Sequence, residues 1–167
     1  MSETQFVDTN IFLRYLTQDE QRYQACLALF QKAERNQVNL ITSESVIAEV
    51  VFVLSSPKHY RLARPQIQVA LSRLLLLPGL KAPTRNTLLR ALALYAQHVL
   101  DFEDCLSLAH MEQMKVQQIY SYDQGFDRIT TIERLEPAGQ PTASREVVQS
   151  EEPVTGLTPK PPNDESN

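Results

Sequence analysis

The segment Gln5-Phe6-Val7-Asp8-Thr9-Asn10 joins an apolar run to a polar turn and decides how the chain begins to fold. Thr4 to Val7 predicts a short buried strand, and Thr9 or Asn10 can cap a helix that begins near Asn10. Asp8 therefore lies directly after the strand. A carboxylate in such a place is costly to desolvate unless a cation or hydrogen-bond donors meet it.

The chain up to about residue 137 alternates strands with helices. Further strands are predicted over Val38–Thr42, Leu80–Ala82, Gln118–Tyr122 and Thr131–Leu135. Helices are predicted over Arg22–Asn36, from Ser43 or Ser45 to Pro57, over Pro65–Leu77 and Pro83–His98, and from Asp104 to about Lys115. Strands separated by helices indicate an α/β domain with a parallel sheet.

Three further acids share the setting of Asp8, at the border between an apolar segment and a polar turn or helix. Glu49 lies within Val46-Ile47-Ala48-Glu49-Val50-Val51, Asp104 begins a helix, and Asp123 follows a strand. Sites in parallel sheets form beyond the carboxyl ends of the strands, so Asp8 and Asp123 are expected to share that edge. Several carboxylates without His or Cys suit a hard divalent cation, and such ions support phosphodiester hydrolysis.

Length and composition are those of one ordinary globular domain, at 167 residues, 19.0 kDa, 43% hydrophobic and 22% charged residues. No apolar run approaches the roughly 20 residues of a membrane helix, and the N-terminus does not resemble a signal peptide. Cys26 and Cys105 form no metal-binding or disulfide pattern. A cytoplasmic protein with reduced thiols is the resulting expectation.

Charge is unevenly distributed along the chain, whose formal net charge is −4. No acidic residue occurs from Val50 to Leu100, a stretch that includes Arg61, Arg64 and Arg85. These arginines are candidates for binding a polyanion beside an acidic site. Ordinary solvated helix faces explain them equally well, and both interpretations stay open.

The composition changes after Pro137. Residues 138–167 contain no aromatic residue, are rich in Pro and polar residues, and carry more acidic than basic side chains. Such a segment cannot bury enough apolar surface to offset the entropy of ordering it. The sequence predicts a folded domain over residues 1–137 and a disordered, acidic tail over residues 138–167.

Four segments, in this order, resemble the PIN-domain family. They are Phe6-Val7-Asp8-Thr9-Asn10, Ser43 with Val46-Ile47-Ala48-Glu49, Asp101-Phe102-Glu103-Asp104-Cys105-Leu106, and Ser121-Tyr122-Asp123 with Phe126-Asp127. Their order and spacing are similar to the VapC toxin branch of bacterial toxin–antitoxin pairs, over about residues 3–137. Cys105 stands where the family usually has Ala.

The resemblance implies a three-layer PIN-like fold, with a short central parallel sheet flanked by helices. It also implies an endoribonuclease that uses Mg²⁺, or Mn²⁺, with Asp8, Glu49, Asp104 and Asp123 as metal ligands and catalytic residues. Five polar residues are expected either to orient these acids or to serve only local caps and turns: Thr9, Asn10, Asp101, Ser121 and Asp127.

The implied partners are an RNA substrate, a small inhibitory antitoxin and a second copy of the chain, with no membrane. The apolar helices over Leu71–Leu77 and Leu88–Leu94 are candidates for the dimer face. Two alternatives within the family are a non-catalytic PIN-like interaction module and a stand-alone PIN nuclease without an antitoxin. A phosphohydrolase with an aspartyl nucleophile is less well matched, because Asn10 stands where its second Asp is required.

Overall fold

The computed structural model describes residues 3–137, so the predicted disorder of residues 138–167 lies outside the described residues. The strands are β1 (Thr4–Phe6), β2 (Asn39–Ile41), β3 (Leu80–Lys81), β4 (Gln118–Tyr120) and β5 (Glu133–Leu135). The helices are α1 (Thr9–Leu16), α2 (Tyr23–Glu34), α3 (Glu44–Ser55), α4 (Arg64–Leu75), α5 (Arg85–Gln97) and α6 (Phe102–Met114). A short 3₁₀ helix over Gln124–Arg128 was not predicted.

Local chemistry explains where the helices begin. The Ser43 hydroxyl accepts a hydrogen bond from the Val46 amide at 3.4 Å at the start of α3. The Asp101 carboxylate accepts one from the Asp104 amide at 2.9 Å at the start of α6. Pro65 lies in the first turn of α4, where its missing N–H costs nothing. The predicted alternation of strands and helices is confirmed.

All strand pairs are parallel, as predicted, but in the described residues they form two sheets. In the first sheet β2 lies between β1 and β3, and in the second β4 pairs with β5. Asp8 follows β1 and Asp123 follows β4, so backbone pairing does not bring them to one shared sheet edge. Two aromatic side chains on these strands are exposed, with Phe6 61% and Tyr120 69% accessible.

Two groups of helices cover the strands of this α/β fold. Helix α1 packs against α2 and α3, while α5 packs against α4 and α6. One hydrophobic core joins both groups, and its fully buried side chains include Phe12, Leu40, Ile47 and Leu92. Within residues 3–137, none of the helices has the length and apolar character needed to cross a membrane.

Most of the leucines suggested for a dimer face are buried by packing within the chain. Those that are buried are Leu71, Leu74, Leu75, Leu88, Leu92 and Leu94. Leu76, by contrast, is 60% exposed. The apolar side chains of α4 and α5 therefore belong mainly to the core and do not form a broad exposed surface. This packing does not support a dimer.

Candidate active site

Asp8 lies at the N-cap position of α1, but its side chain makes no capping hydrogen bond to that helix. Instead Asn10 donates from Nδ2 to Asp8 Oδ2 at 2.8 Å. Asp8 is exposed. The Asp8 carboxylate is instead oriented by the side chain two residues later.

Glu49 lies on α3 and reaches the start of α1 through Thr9. The Thr9 hydroxyl donates to Glu49 Oε2 at 2.8 Å. Thr9 is only 6% exposed, whereas Glu49 is exposed. Because a buried hydroxyl holds one oxygen of an exposed carboxylate, Glu49 is fixed in direction while the rest of it faces solvent. Thr9 also follows Asp8, so the two acids share one local framework.

The second pair of predicted ligands, Asp104 and Asp123, lies with Asp101 where α6 begins and β4 ends. Asp101 caps α6 through the Asp104 amide. Asp123 Oδ1 accepts from the Gly125 amide at 2.7 Å, and the Asp123 amide donates to Ser121 Oγ at 3.0 Å. Asp101 and Ser121 therefore make the local contacts considered for them, and each orients a residue of the site.

The electrostatic environment of Asp104 is unfavourable to its charge. Partial burial is the largest cause that raises the pKa of Asp104 above its ordinary value, followed by repulsion from Asp101, Asp123 and Glu103. All the charges responsible are carboxylates. The start of α6 is therefore a concentration of negative charge that a cation would relieve.

The four predicted ligands fall into two groups: Asp8 with Glu49, and Asp104 with Asp123. Within residues 3–137, no three Asp, Glu, His or Cys side chains converge on a point that could hold one metal ion. The donors are nevertheless of the kind that Mg²⁺ takes, because they are carboxylate oxygens that are exposed or partly exposed. Mg²⁺ is commonly bound by one or two carboxylates with water completing its shell, so the chemistry of these side chains fits that ion.

Asp127 is engaged by an arginine that the sequence did not single out. Arg134 Nε donates to Asp127 Oδ1 at 2.8 Å, and Arg134 Nη1 donates to the Ser121 carbonyl at 2.8 Å and to Glu136 at 2.5 Å. This network ties the 3₁₀ helix to β5. Asp127 accordingly organises the turn after Asp123, as the sequence suggested.

Two of the three candidate substrate arginines are used inside the fold. Arg64 Nη1 donates to the backbone carbonyls of Tyr95 at 3.2 Å and His98 at 2.8 Å, and also to that of Leu100. The Arg64 guanidinium also lies 4.2 Å from the centre of the Tyr95 ring. Arg85 donates to the Leu80 carbonyl. These contacts favour structural roles for Arg64 and Arg85, whereas Arg61 is exposed.

Sequence reasoning missed a contact between α3 and α6. Nε2 of His110 lies 3.2 Å from Oε1 of Glu44, and both side chains are partly buried. No local spacing relates two residues this far apart, so no sequence signal pointed to the pair. Glu44 thus faces a histidine of α6, whereas Glu49 is the exposed acid of α3.

Gly125 was also overlooked, although a glycine two residues after an aspartate is typical of a turn. A Cβ atom at Gly125 would lie 2.8 Å from Leu100 Cδ2 and 3.0 Å from Asp123 Oδ1. The absence of a side chain therefore lets the peptide approach the Asp123 carboxylate.

Cys26 and Cys105 are free and buried, and burial raises the pKa of the Cys105 thiol to about 12. That thiol stays neutral and packs as an apolar group.

Three comparisons with known proteins bear on the family of this chain. The PIN domain family model matches residues 6–132. A search of curated proteins finds no match. Among solved structures, VapC20 of Mycobacterium tuberculosis, described as a toxin that cleaves the sarcin–ricin loop, is 20% identical. The match covers 74% of this chain and 92% of that one, with a TM-score of 0.34. Because the PIN domain family model matches most of the 167 residues of this chain, the chain belongs to the PIN domain family.

Proposed function

We propose that this protein is a metal-dependent endoribonuclease that hydrolyses RNA phosphodiester bonds. One observation carries the proposal: partial burial raises the pKa of Asp104, and the neighbouring charges of Asp101, Asp123 and Glu103, all of them negative, raise it further. A divalent cation bound there would relieve this repulsion.

The proposed ligands are Asp8, Glu49, Asp104 and Asp123, with Mg²⁺ or Mn²⁺ as the ion. Bound metal of this kind lowers the pKa of a coordinated water and stabilises charge on the phosphate. The chain's own contribution is to hold the acids in place. Asn10 donates a hydrogen bond to one oxygen of Asp8, and Thr9 donates one to Glu49. The Gly125 amide donates one to Asp123.

RNA is the proposed polyanionic substrate. Arg61 is the candidate contact among the three arginines, because it is exposed in the loop between α3 and α4. Arg64 and Arg85 are directed to backbone carbonyls instead. A single arginine would add salt-dependent affinity for phosphate without specifying a base.

We further propose that the enzyme acts in the cytoplasm as the toxin of a toxin–antitoxin pair and that a cognate antitoxin inhibits it. The resemblance of its four segments to the VapC branch supports this finer assignment, and a homodimer is proposed on the same resemblance. Growth arrest on expression, relieved by co-expression of a short open reading frame beside its gene, tests the pairing. Arrest that no neighbouring frame relieves would instead indicate a stand-alone PIN nuclease.

The nuclease proposal is tested with Asp8→Asn, a change that preserves an N-cap residue and removes one negative charge. Cleavage of single-stranded RNA in Mg²⁺ should fall at least about 100-fold, as expected for loss of a group that acts in catalysis. Glu20→Gln, an exposed acid outside both groups, is the matched control and should cleave normally. Cleavage by Asp8→Asn at the rate of the control would contradict the assignment, and no cleavage by the unaltered protein would favour a non-catalytic module.

A further inference from the structure

Phe52 is a large apolar side chain that α3 leaves exposed, with 67% of its surface accessible, whereas its neighbours Val50, Val51 and Leu54 are buried in the core. Within residues 3–137, no other aromatic ring and no guanidinium stacks on the Phe52 ring. Single exposed apolar residues are common on protein surfaces, so exposure alone assigns no role. The position of Phe52 is what distinguishes it.

Phe52 lies close to both groups of proposed metal ligands. Glu49 is three residues earlier on α3, and side chains at that spacing are neighbours on one helix face, with Cβ atoms roughly 5–6 Å apart. On its other side, Phe52 lines a cavity of about 140 Å³ together with Asp101 and Glu103 at the start of α6. Glu103 directly precedes Asp104. The ring is therefore flanked by Glu49 and by the acids that begin α6.

The loop that follows α3, over residues 56–63, adds positive charge near this ring. Lys58 and Arg61 in the loop are both exposed. The end of the loop is held at the start of α6, because Arg64 donates a hydrogen bond to the Leu100 carbonyl and lines the same cavity as the ring. The two cations are thus placed to contact phosphates of a strand that crosses the ring, which would position the strand without reading its sequence.

We propose that Phe52 stacks on an unpaired base of the RNA, in a nucleotide near the phosphodiester that is cut. Aromatic side chains bind single-stranded nucleic acid in this way, because every base presents a face on which a ring can stack. A base in a duplex is already stacked between its neighbours, so the ring selects RNA that is unpaired near the cut. The inference rests on the proposed ribonuclease function and assigns it a substrate-positioning residue and a substrate class, single-stranded RNA.

The test removes the ring from the protein and the base from the RNA. The full chain in Mg²⁺ cleaves single-stranded oligonucleotides in which one nucleotide at a time around the cut is abasic, and kcat/KM is measured. One abasic position should lower kcat/KM of the unaltered protein about tenfold or more, through loss of one stacked base. Phe52→Ala should show a similar loss on intact RNA and no further loss at that position, because both changes remove the same contact.

Three further variants separate stacking from a structural role. Phe52→Leu keeps an apolar side chain without a ring and should behave as Phe52→Ala does, whereas Phe52→Tyr keeps a ring and should cleave as the unaltered protein does. Leu76→Ala changes a side chain that is 60% exposed and does not line this cavity, so its sensitivity to the abasic position should be unchanged. The melting temperature should stay within about 2 °C in every variant, because these side chains are exposed.

The outcomes separate this inference from the proposed function. If the unaltered protein cuts RNA and Phe52→Ala shows the same sensitivity to abasic positions, Phe52 does not stack on a base, and the nuclease assignment stands. The same conclusion follows if Phe52→Ala changes only the sedimentation of the protein, which would make the ring a contact between copies of the chain. Cleavage of a blunt RNA duplex as fast as its single strand would overturn the selection of unpaired RNA. If the unaltered protein cuts no RNA, the proposed function fails and this inference fails with it.

Discussion

At the scale of single residues, the proposed site depends on neutral donors that orient charged acceptors. Thr9 and Asn10 each give one hydrogen bond to a carboxylate that otherwise faces solvent. A carboxylate held by one oxygen keeps its second oxygen available for a metal ion or water. Mutating a group that orients a metal ligand in this way commonly lowers metal affinity or activity by roughly 10–100-fold.

Thr9→Val tests this at Glu49. The substitution keeps the branched shape and removes the hydroxyl that donates to Glu49 at 2.8 Å. We expect RNA cleavage to fall by roughly 10–100-fold with a raised Mg²⁺ requirement. Thr9→Ser restores the hydroxyl and should recover most of the activity. Full activity in Thr9→Val at low Mg²⁺ would show that Glu49 needs no orientation.

Asp104→Asn tests the cost of the concentrated negative charge. The folded-state pKa of Asp104 is raised above its ordinary value of 3.8, so its ionisation destabilises the folded chain as pH rises through that raised pKa. In EDTA at pH 7 we expect Asp104→Asn to melt higher, by on the order of 2 °C. This advantage should disappear below about pH 4, where both states are protonated. A lower melting temperature at pH 7 would contradict the repulsion.

At the scale of elements, helix boundaries were predicted well because their signals are local. Ser43, Pro65 and Asp101 each lie within a few residues of the backbone groups that they cap or replace. The roles of Arg64 and His110 were not predicted, because their partners are distant in sequence and are brought close only by packing. The division of the strands into two sheets was missed for the same reason, since pairing between short strands is not a local property.

Arg64 and Arg61 form a natural pair for separating stability from RNA binding. Arg64→Ala removes donors to carbonyls at the end of α5, and we expect the free energy of unfolding to fall by about 2–3 kcal/mol. Arg61→Ala changes an exposed side chain and should alter stability by less than about 0.5 kcal/mol. In filter binding with EDTA, Arg61→Ala should weaken RNA affinity and reduce its salt dependence. Unchanged stability in Arg64→Ala would contradict the structural role and make Arg64 a candidate for RNA binding again.

At the scale of the whole molecule, one hydrophobic core joins the two groups of helices, and the four proposed carboxylates are linked as two pairs. The family model ends at residue 132 and the described residues end at 137. The four carboxylates could be chosen from sequence because each follows or lies within an apolar segment. Their linkage in two pairs could not, because it depends on contacts between residues far apart in sequence, such as that of Thr9 with Glu49.

Deleting residues 138–167 tests the proposed domain boundary. The folded domain is proposed to be complete at residue 137, so the melting temperature should change by less than about 2 °C. Circular dichroism at matched concentration measures this directly. A drop of many degrees would show that the removed segment packs on the domain and that the boundary is misplaced.

The central claim is that these carboxylates cut RNA, and the RNA ends produced in cells test it most directly. Sequencing new 5′ ends after brief expression should reveal a small, reproducible set of cleavage sites with the unaltered protein. Asp8→Asn, expressed to the same level, should produce none of them. An absence of new ends with the unaltered protein, or the same ends with Asp8→Asn, would contradict the account.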